Sequence, residues 1–409
     1  MSRRPLLPWR DALDQVLDAA TPLPIDSCPT EPERHGQVLG ADVLAQWDLP
    51  SADVSVMDGY AARTTDLTAA APILTRLGES AAGHPMAETV PSGSAARIST
   101  GAVVPDGADV VIPQEDVRVH GDTLHVDREA FGAVEPGRWI RRRGSDVREG
   151  DVVLSEGLRL RAGDLAMAAS TGNVTLPVRR RPRVAIVSTG DELVPRGHTP
   201  PPGRVVSSND LMLTAAITAA GGIPVDHGHA PDDAEGLATV LRGALDADLV
   251  VTTGGISVGD HDLVASTFAS LGVTWAFHGI ALRPGKPLAF GRCGEACVFG
   301  LPGNPASTFA CFELFVASAI RRRLGVQQAA PPTCVVTLRT AARGAGARTH
   351  FVRARLHEDG SASALDTQTS GNLRSLCAVD CMIEVPAGVA GLQPGDTATA
   401  YPTAPRWGA

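Results

Sequence analysis

The sequence predicts an α/β and β multidomain protein, in which a parallel-sheet α/β domain follows a β-rich insertion and precedes a C-terminal β-barrel. Three observations lead there. Between residues 182 and 325, apolar runs of strand length alternate with runs of helix length, the pattern of a parallel sheet covered by helices on both faces. From 51 to 139, short apolar pieces are broken by Pro91-Ser92-Gly93, Pro105-Asp106-Gly107 and Gly121-Asp122, as in a small β-domain. After Pro331-Pro332 the chain turns strand-like again in CVVTLRT, FVRARL and MIEVP, which suggests a final barrel.

Taken in order, residues 9 to 20 place Ala12, Leu13, Val16, Leu17 and Ala20 on one helical face. A short extended stretch and a helix over 162–170, ending at Gly172, follow the β-rich segment. In the α/β region, strand 183–187 precedes helix 209–220, closed by Gly221-Gly222. Strand 223–227 precedes helix 233–245, and strand 248–252 precedes helix 261–271, closed by Gly272. Strand 273–277, the segment ALRPGKPLAFG, strand 296–300 and a long helix from 305 complete the unit.

Composition narrows the function. A chain of 409 residues with 44% hydrophobic content supports two to four cores, and no apolar stretch approaches the ~20 residues of a membrane helix. A formal net charge of -9, with only two Tyr and nine Phe, argues against nucleic acid as the main partner. The basic runs at 141–143 and 179–183 are short, and the run at 321–323 suits a helix C-terminus. Seven scattered cysteines with no CxxC, and no secretory h-region, fit reduced thiols in a cytoplasmic protein.

Chemistry concentrates at loops after strands. RVAIVSTGDEL and DLVVTTGGISVGDHD each run a strand into hydroxyls and glycines, then into carboxylates: Asp191 and Glu192 in one, Asp260 and Asp262 in the other. Such loops aim backbone N–H groups at phosphate oxygens, and the carboxylates call for a hard cation such as magnesium between them and the phosphate. Either loop alone also suits an ordinary strand-to-helix turn; two in one sheet favour a nucleotide or phosphorylated ligand beyond the strands' carboxyl ends. Arg283-Pro284-Gly285-Lys286-Pro287 places two cations at a rigid turn suited to a tetrahedral oxyanion, or else two solvated charges. In Leu301-Pro302-Gly303-Asn304-Pro305-Ala306-Ser307, Asn304 fits an N-cap and Pro305 the first helical turn. In the β-rich part, SVMDGY carries Asp58, STGA carries Thr100 and RRRGSD carries Asp146, each also readable as a turn or solvated face. The histidines 227, 229, 261 and 278 lack metal-site spacing.

SVMDGYA, RISTGA, IRRRGSD, STGDEL, TTGGISVGDHD, PGKP and LPGNPAS, in this order and over nearly the whole chain, resemble the molybdopterin molybdenumtransferase family, bacterial relatives of gephyrin's C-terminal region. The resemblance implies four domains: a helical/extended one from 1–50 and 140–178, the β-rich insertion at 51–139, a molybdopterin-binding α/β domain at 179–326, and a barrel at 327–409. It implies a homodimer whose active site joins the α/β domain of one subunit to the insertion of the other. The activity implied is insertion of molybdate into adenylylated molybdopterin, with Mg2+ and with hydrolysis of the adenylate to AMP. It further implies passing contact with the adenylyltransferase that makes this substrate; the composition, as above, implies no nucleic acid or membrane partner. The phosphate would lie at Thr253, Gly254, Gly255 and Ser257, with Asp262 and Asp232 reaching the metal. Arg283, Lys286, Gly303, Asn304, Ser307, Arg353 and Ser370 match positions around the cofactor and oxyanion. Asp58, Thr100, Asp146, Glu192 and Asp262 match positions important to activity. Many members read Lys-Pro-Gly-Lys-Pro with another lysine four residues upstream, where this chain has Arg283 and Gly279; arginine keeps the charge but presents it as a planar fork. Two rival readings remain: adenylyl transfer to molybdopterin, and a gephyrin-like scaffold.

Overall fold

The computed structural model describes residues 6–231, 233–255 and 263–403. Its central sheet has the order Ile223–Ala230, Arg183–Thr189, Leu249–Thr253, Ala296–Leu301, Ala289–Cys293, Thr274–His278. The first four strands are parallel. Alternate residues feed two cores. Val184, Ile186, Leu249 and Val251 pack with Leu213 and Ile217 of helix Asn209–Ala220 on one face. Ala185, Val187 and Val250 pack with Leu237 and Leu241 of helix Ala234–Ala244 and Phe268 of Leu263–Ser270 on the other. Burial on both faces explains why these strands read as unbroken apolar runs. Each Val, Leu, Ile or Phe side chain among them contributes about 1.5–3 kcal/mol by leaving water.

The sheet is mixed where uniform alternation predicted parallel strands. AFG lies in a strand, Ala289–Cys293, antiparallel to both Ala296–Leu301 and Thr274–His278. The cause is connection length: a parallel return needs a crossover of a dozen or more residues, usually helical, and only Gly294 and Glu295 separate the last two strands. Freed from the sheet, the PGKP segment becomes a turn at its rim.

Strands Cys334–Leu338, Thr349–Leu356, Ser361–Ala364, Cys381–Val385 and Thr397–Pro402 close into a five-stranded barrel. The insertion holds a six-stranded sheet ordered Val110–Pro113, Gly59–Ala62, Ser94–Ile98, Ile73–Ser80, Thr123–Val126, Val117–His120. Its flanks pair with each other: Ile25–Pro29 with Thr175–Arg179, Val43–Leu44 with Val152–Leu154, and Val54–Ser55 with Ile140–Arg141. No helix among the described residues is long and apolar enough to cross a membrane, and all seven cysteines are free.

Helix Trp9–Ala19 buries Trp9, Ala12, Leu13 and Val16, adding Trp9 to the predicted face. It packs on the α/β core against Phe315 and Ile320. It also reaches the barrel. The Trp9 ring meets Phe351 edge-on at 5.1 Å, and Arg10 donates to both oxygens of buried Glu384 at 2.7 and 2.8 Å. Tyr401 donates its hydroxyl to the same carboxylate at 2.8 Å. A buried carboxylate needs these donors, because unpaired it would cost several kcal/mol. The helix therefore clasps barrel to α/β unit, and a cleft opens between them.

Candidate active site

Register brings three loops together. Ser188 pairs with Thr253, and Thr253 with Leu301, so STGD, TTGG and LPGN leave the sheet at one level. Gly254, at φ +88, has no room for a side chain: a Cβ would lie 2.4 Å from the Thr189 carbonyl oxygen. The Asn209 side chain ties two of the loops, its Nδ2 donating to Thr253 Oγ1 at 2.8 Å and to the Gly303 carbonyl at 2.7 Å. These loops line a cleft of about 560 Å³, together with Ser188, Thr189 and Glu192. Beneath it the hydroxyls of Ser188, Thr189 and Thr252 and the Oδ1 of Asn209 are buried without a hydrogen-bond partner among the described residues. Such atoms are costly unless a ligand satisfies them. Glu192 folds back over Gly190, where any Cβ would stand 2.5 Å from its Oε2.

A second cleft, of about 940 Å³, lies between the α/β unit and the barrel. Leu282 and Arg283 extend the barrel by pairing with Thr349 and His350. The turn that follows is fixed by Gly285 at φ +116, packed against Cys311, and by the Lys286 carbonyl, which accepts from Ile280 N–H at 2.9 Å. Arg283 and Lys286 form one wall; Arg343, Arg348 and His350 come from the barrel. Four cations thus face one carboxylate, Asp366, and none of the four has an ion-pair partner among the described residues. Unneutralised cations in a concave, partly desolvated space make an anion site. Burial first, then the positive charges of Arg283, Arg353 and Arg348, hold the His350 imidazole below its usual pKa. Its Nδ1 lies 2.6 Å from the Arg343 carbonyl, which a neutral ring satisfies by donating from Nδ1.

Lys286, Arg283, Ser307, Ser370 and Asn304 all line this cleft. Arg353 does not. Its side chain is buried, at 1% exposure, and its Nη2 donates to the carbonyls of Thr367 and Thr369 at 3.2 and 3.1 Å. It holds the loop that presents Ser370, and its Nε and Nη1 are unpartnered among the described residues. Asn304 occupies the N-cap position of helix Pro305–Cys311, yet its side chain makes no cap hydrogen bond. That amide instead lines both clefts. Sequence reasoning missed Asn209, Arg343, Arg348 and His350; the one signal available was the cation-rich ARGAGARTH run before FVRARL.

The insertion residues form a separate, exposed group. Thr100 donates to Asp58 Oδ1 from its N–H at 2.6 Å and its hydroxyl at 2.9 Å; these two bonds, the backbone one first, hold the Asp58 carboxyl below the usual range. Asp146 pairs with Arg141, whose Nε donates at 3.0 Å. Neither carboxylate lines either cleft of its own chain. Ser257, Asp262 and Asp232 lie outside the described residues. Among the described residues no three metal-ligating side chains gather, and Glu192 is the carboxylate among the described residues that line the first cleft.

Residues 7–172 match the model of the MoeA N-terminal region (domain I and II), residues 185–322 that described as "Probable molybdopterin binding domain", and residues 335–403 the MoeA C-terminal region (domain IV). Molybdopterin molybdenumtransferase 2 of Mycobacterium tuberculosis is 34% identical over 374 residues, 87% of this chain and 90% of the relative. The Haemophilus influenzae molybdopterin molybdenumtransferase is 37% identical over 297 residues, 72% of each chain. The crystal structure of the molybdopterin biosynthesis moeA protein from Pyrococcus horikoshii superposes with a TM-score of 0.84 at 31% identity, over 98% of this chain and 100% of that one. With three consecutive family models matched along the loops, turn and barrel that build the two clefts, the chain belongs to the MoeA-type molybdopterin molybdenumtransferases, enzymes of molybdenum cofactor biosynthesis.

Proposed function

We propose that the protein inserts molybdate into adenylylated molybdopterin, in a magnesium-dependent reaction that releases AMP. The observation that carries this reading is the pairing of two clefts across one residue, Asn304: one lined by glycine loops over unpartnered hydroxyls, the other by four unpaired cations. The first suits the phosphates of the adenylylated pterin, held by Thr253, Gly254, Gly255 and Gly303. The second suits an oxyanion, held by Arg283, Lys286, Ser307 and Ser370, with Arg353 bracing the Ser370 loop. In the reaction, water attacks one phosphorus of the phosphoanhydride and AMP leaves; two dithiolene thiols bond to molybdenum, and their protons leave with one oxo group as water.

A hard cation suits the carboxylate donors of this region, Glu192 among them, with Asp232 and Asp262 as its proposed ligands. Bound there, magnesium would neutralise phosphate charge. The exposed Asp58, Thr100 and Asp146 serve a homodimer in which one subunit's insertion completes the other's phosphate cleft, consistent with their absence from both clefts of their own chain. The substrate comes from the adenylyltransferase by passing contact. A cation-lined cleft closed by a separate barrel favours insertion over adenylyl transfer, which requires no second oxyanion.

The test is Lys286→Ala, assayed with adenylylated molybdopterin, magnesium and varied molybdate. Loss of one charge-assisted contact of about 1.5–3 kcal/mol should raise the half-saturating molybdate concentration about tenfold or more, with pterin binding little changed. Arg283→Lys, which keeps the charge, should be tolerated. Weakened pterin binding at unchanged molybdate dependence would instead assign these cations to the phosphate.

A further inference from the structure

The two clefts are separated by very little. Asn304 lines both; Ser370 lines the cation cleft and Gly371, the next residue, lines the phosphate cleft. The Ala306 N–H donates to the Ser370 carbonyl at 2.9 Å, so the barrel loop is pinned to the start of the helix beside Asn304. Arg353 fixes the same loop from behind, through the carbonyls of Thr367 and Thr369. Above this pinned edge Asn304 and Gly371 stand opposite each other. An alanine-type Cβ at Gly371 would meet a single neighbour within 4 Å among the described residues, Asn304 Oδ1 at 3.7 Å. The edge is therefore a saddle whose crest is an amide on one side and a missing side chain on the other.

Two features of this saddle have no structural use. An N-cap asparagine normally accepts a hydrogen bond from the first turn of its helix, and Asn304 does not. One N–H of the first turn, that of Ala306, is met instead by the Ser370 carbonyl at 2.9 Å. Nor does Gly371 need to be glycine for its backbone, since its φ lies outside the left-handed range and the space beside it is open. Both leave room and a spare polar group at the one point where the clefts touch.

We propose that this saddle is the passage by which an oxyanion collected on the cations of one cleft crosses to the ligand anchored in the other, with the Asn304 amide as the stepping point. The inference rests on the proposed assignment of molybdate and adenylylated pterin to the two clefts. The chemistry suits transfer. Asn304 and Gly371 are both exposed, so a tetrahedral oxyanion leaving four cations crosses the crest partly hydrated and needs donors only in place of the water it loses to the protein surface. A neutral amide and the Ser370 hydroxyl replace that water without holding the anion as tightly as a cation would; passage requires sites strong enough to enter and weak enough to leave. Asn304 is thus a positioning residue for the meeting of the two substrates.

Gly371→Ala and Gly371→Val narrow the crest without touching a cation; because Gly371 lines the phosphate cleft, preserved AMP release is required to show that the pterin still binds there. Three measurements on the full chain separate the possibilities: molybdate binding by calorimetry without pterin, AMP release, and molybdenum recovered on the pterin. Gly371→Val should bind molybdate within about twofold of wild type, yet incorporate molybdenum at least tenfold more slowly at saturating molybdate. Gly371→Ala, whose methyl fits at ordinary contact distance, should show an intermediate fall of about threefold, and it decides the matter if the valine variant folds poorly. Unchanged incorporation in both variants overturns the passage, as does a loss of molybdate binding that matches the loss of incorporation. A wild-type protein that binds no molybdate or releases no AMP would overturn the functional assignment instead, whatever the variants do.

Discussion

Replacing Gly285 with alanine probes how rigidly the cation turn is built. Gly285 sits at φ +116, a conformation that side-chain-bearing residues rarely adopt, and a Cβ there would fall 2.6 Å from Cys311 Sγ and 3.0 Å from Leu282 Cδ2. Two costs add. Holding a non-glycine residue in a sparsely populated backbone region costs on the order of 1–3 kcal/mol, and overpacking against a buried side chain about 1–3 kcal/mol more. The turn therefore faces about 2–6 kcal/mol, and it can escape part of this by moving away from the helix, which displaces Arg283 and Lys286 together. Gly285→Ala should accordingly lower stability in urea unfolding and raise the half-saturating molybdate concentration about tenfold or more. Adding Cys311→Ala removes the sulfur but leaves the backbone demand, so the double variant should recover the overpacking share and not the rest. The cycle should thus show a favourable coupling of about 1–3 kcal/mol between the two changes. Stability within about 0.5 kcal/mol of wild type at unchanged molybdate dependence would refute the reasoning.

Two other outcomes are expected. Burial pushes the Glu313 carboxyl up to about 7 from 4.5, against the opposing charge of Arg321; a raised folded pKa stabilises the native state fully below the unfolded value and is lost as pH rises through about 7, a change of about 3 kcal/mol. Glu313→Gln should therefore gain stability relative to wild type between pH 5 and pH 8, and parallel pH curves in urea unfolding would rule this out. For the proposed shared dimer site, mixing Asp58→Ala and Asp262→Ala subunits, each expected to be inactive alone, should restore part of the activity, because one of two composite sites would become wild type; heterodimers that form without recovery would place both residues in one subunit's site.

What the sequence disclosed and what it withheld follow one physical divide. Signals confined to a few consecutive residues were legible: the apolar strand ending in Ser188-Thr189-Gly190, the helix closed by Gly221, and Pro305 at the start of its helix all appear where local chemistry puts them. These are cases in which backbone preference and burial act within one segment. The cation cleft is a different case. Arg343, Arg348 and His350 lie some sixty residues from Lys286, and they meet it because Leu282 and Arg283 pair with Thr349 and His350 across the barrel edge. Nothing in the ARGAGARTH run distinguishes a cleft wall from a solvated loop, since its charges gain meaning from what faces them. The same divide explains Arg353. The sequence places it in a strand and the family resemblance beside the oxyanion, but strand alternation turns His350 and Val352 to the cleft and leaves Arg353 buried under the Thr367–Thr369 carbonyls. Its contribution to the oxyanion would then pass through the loop it holds.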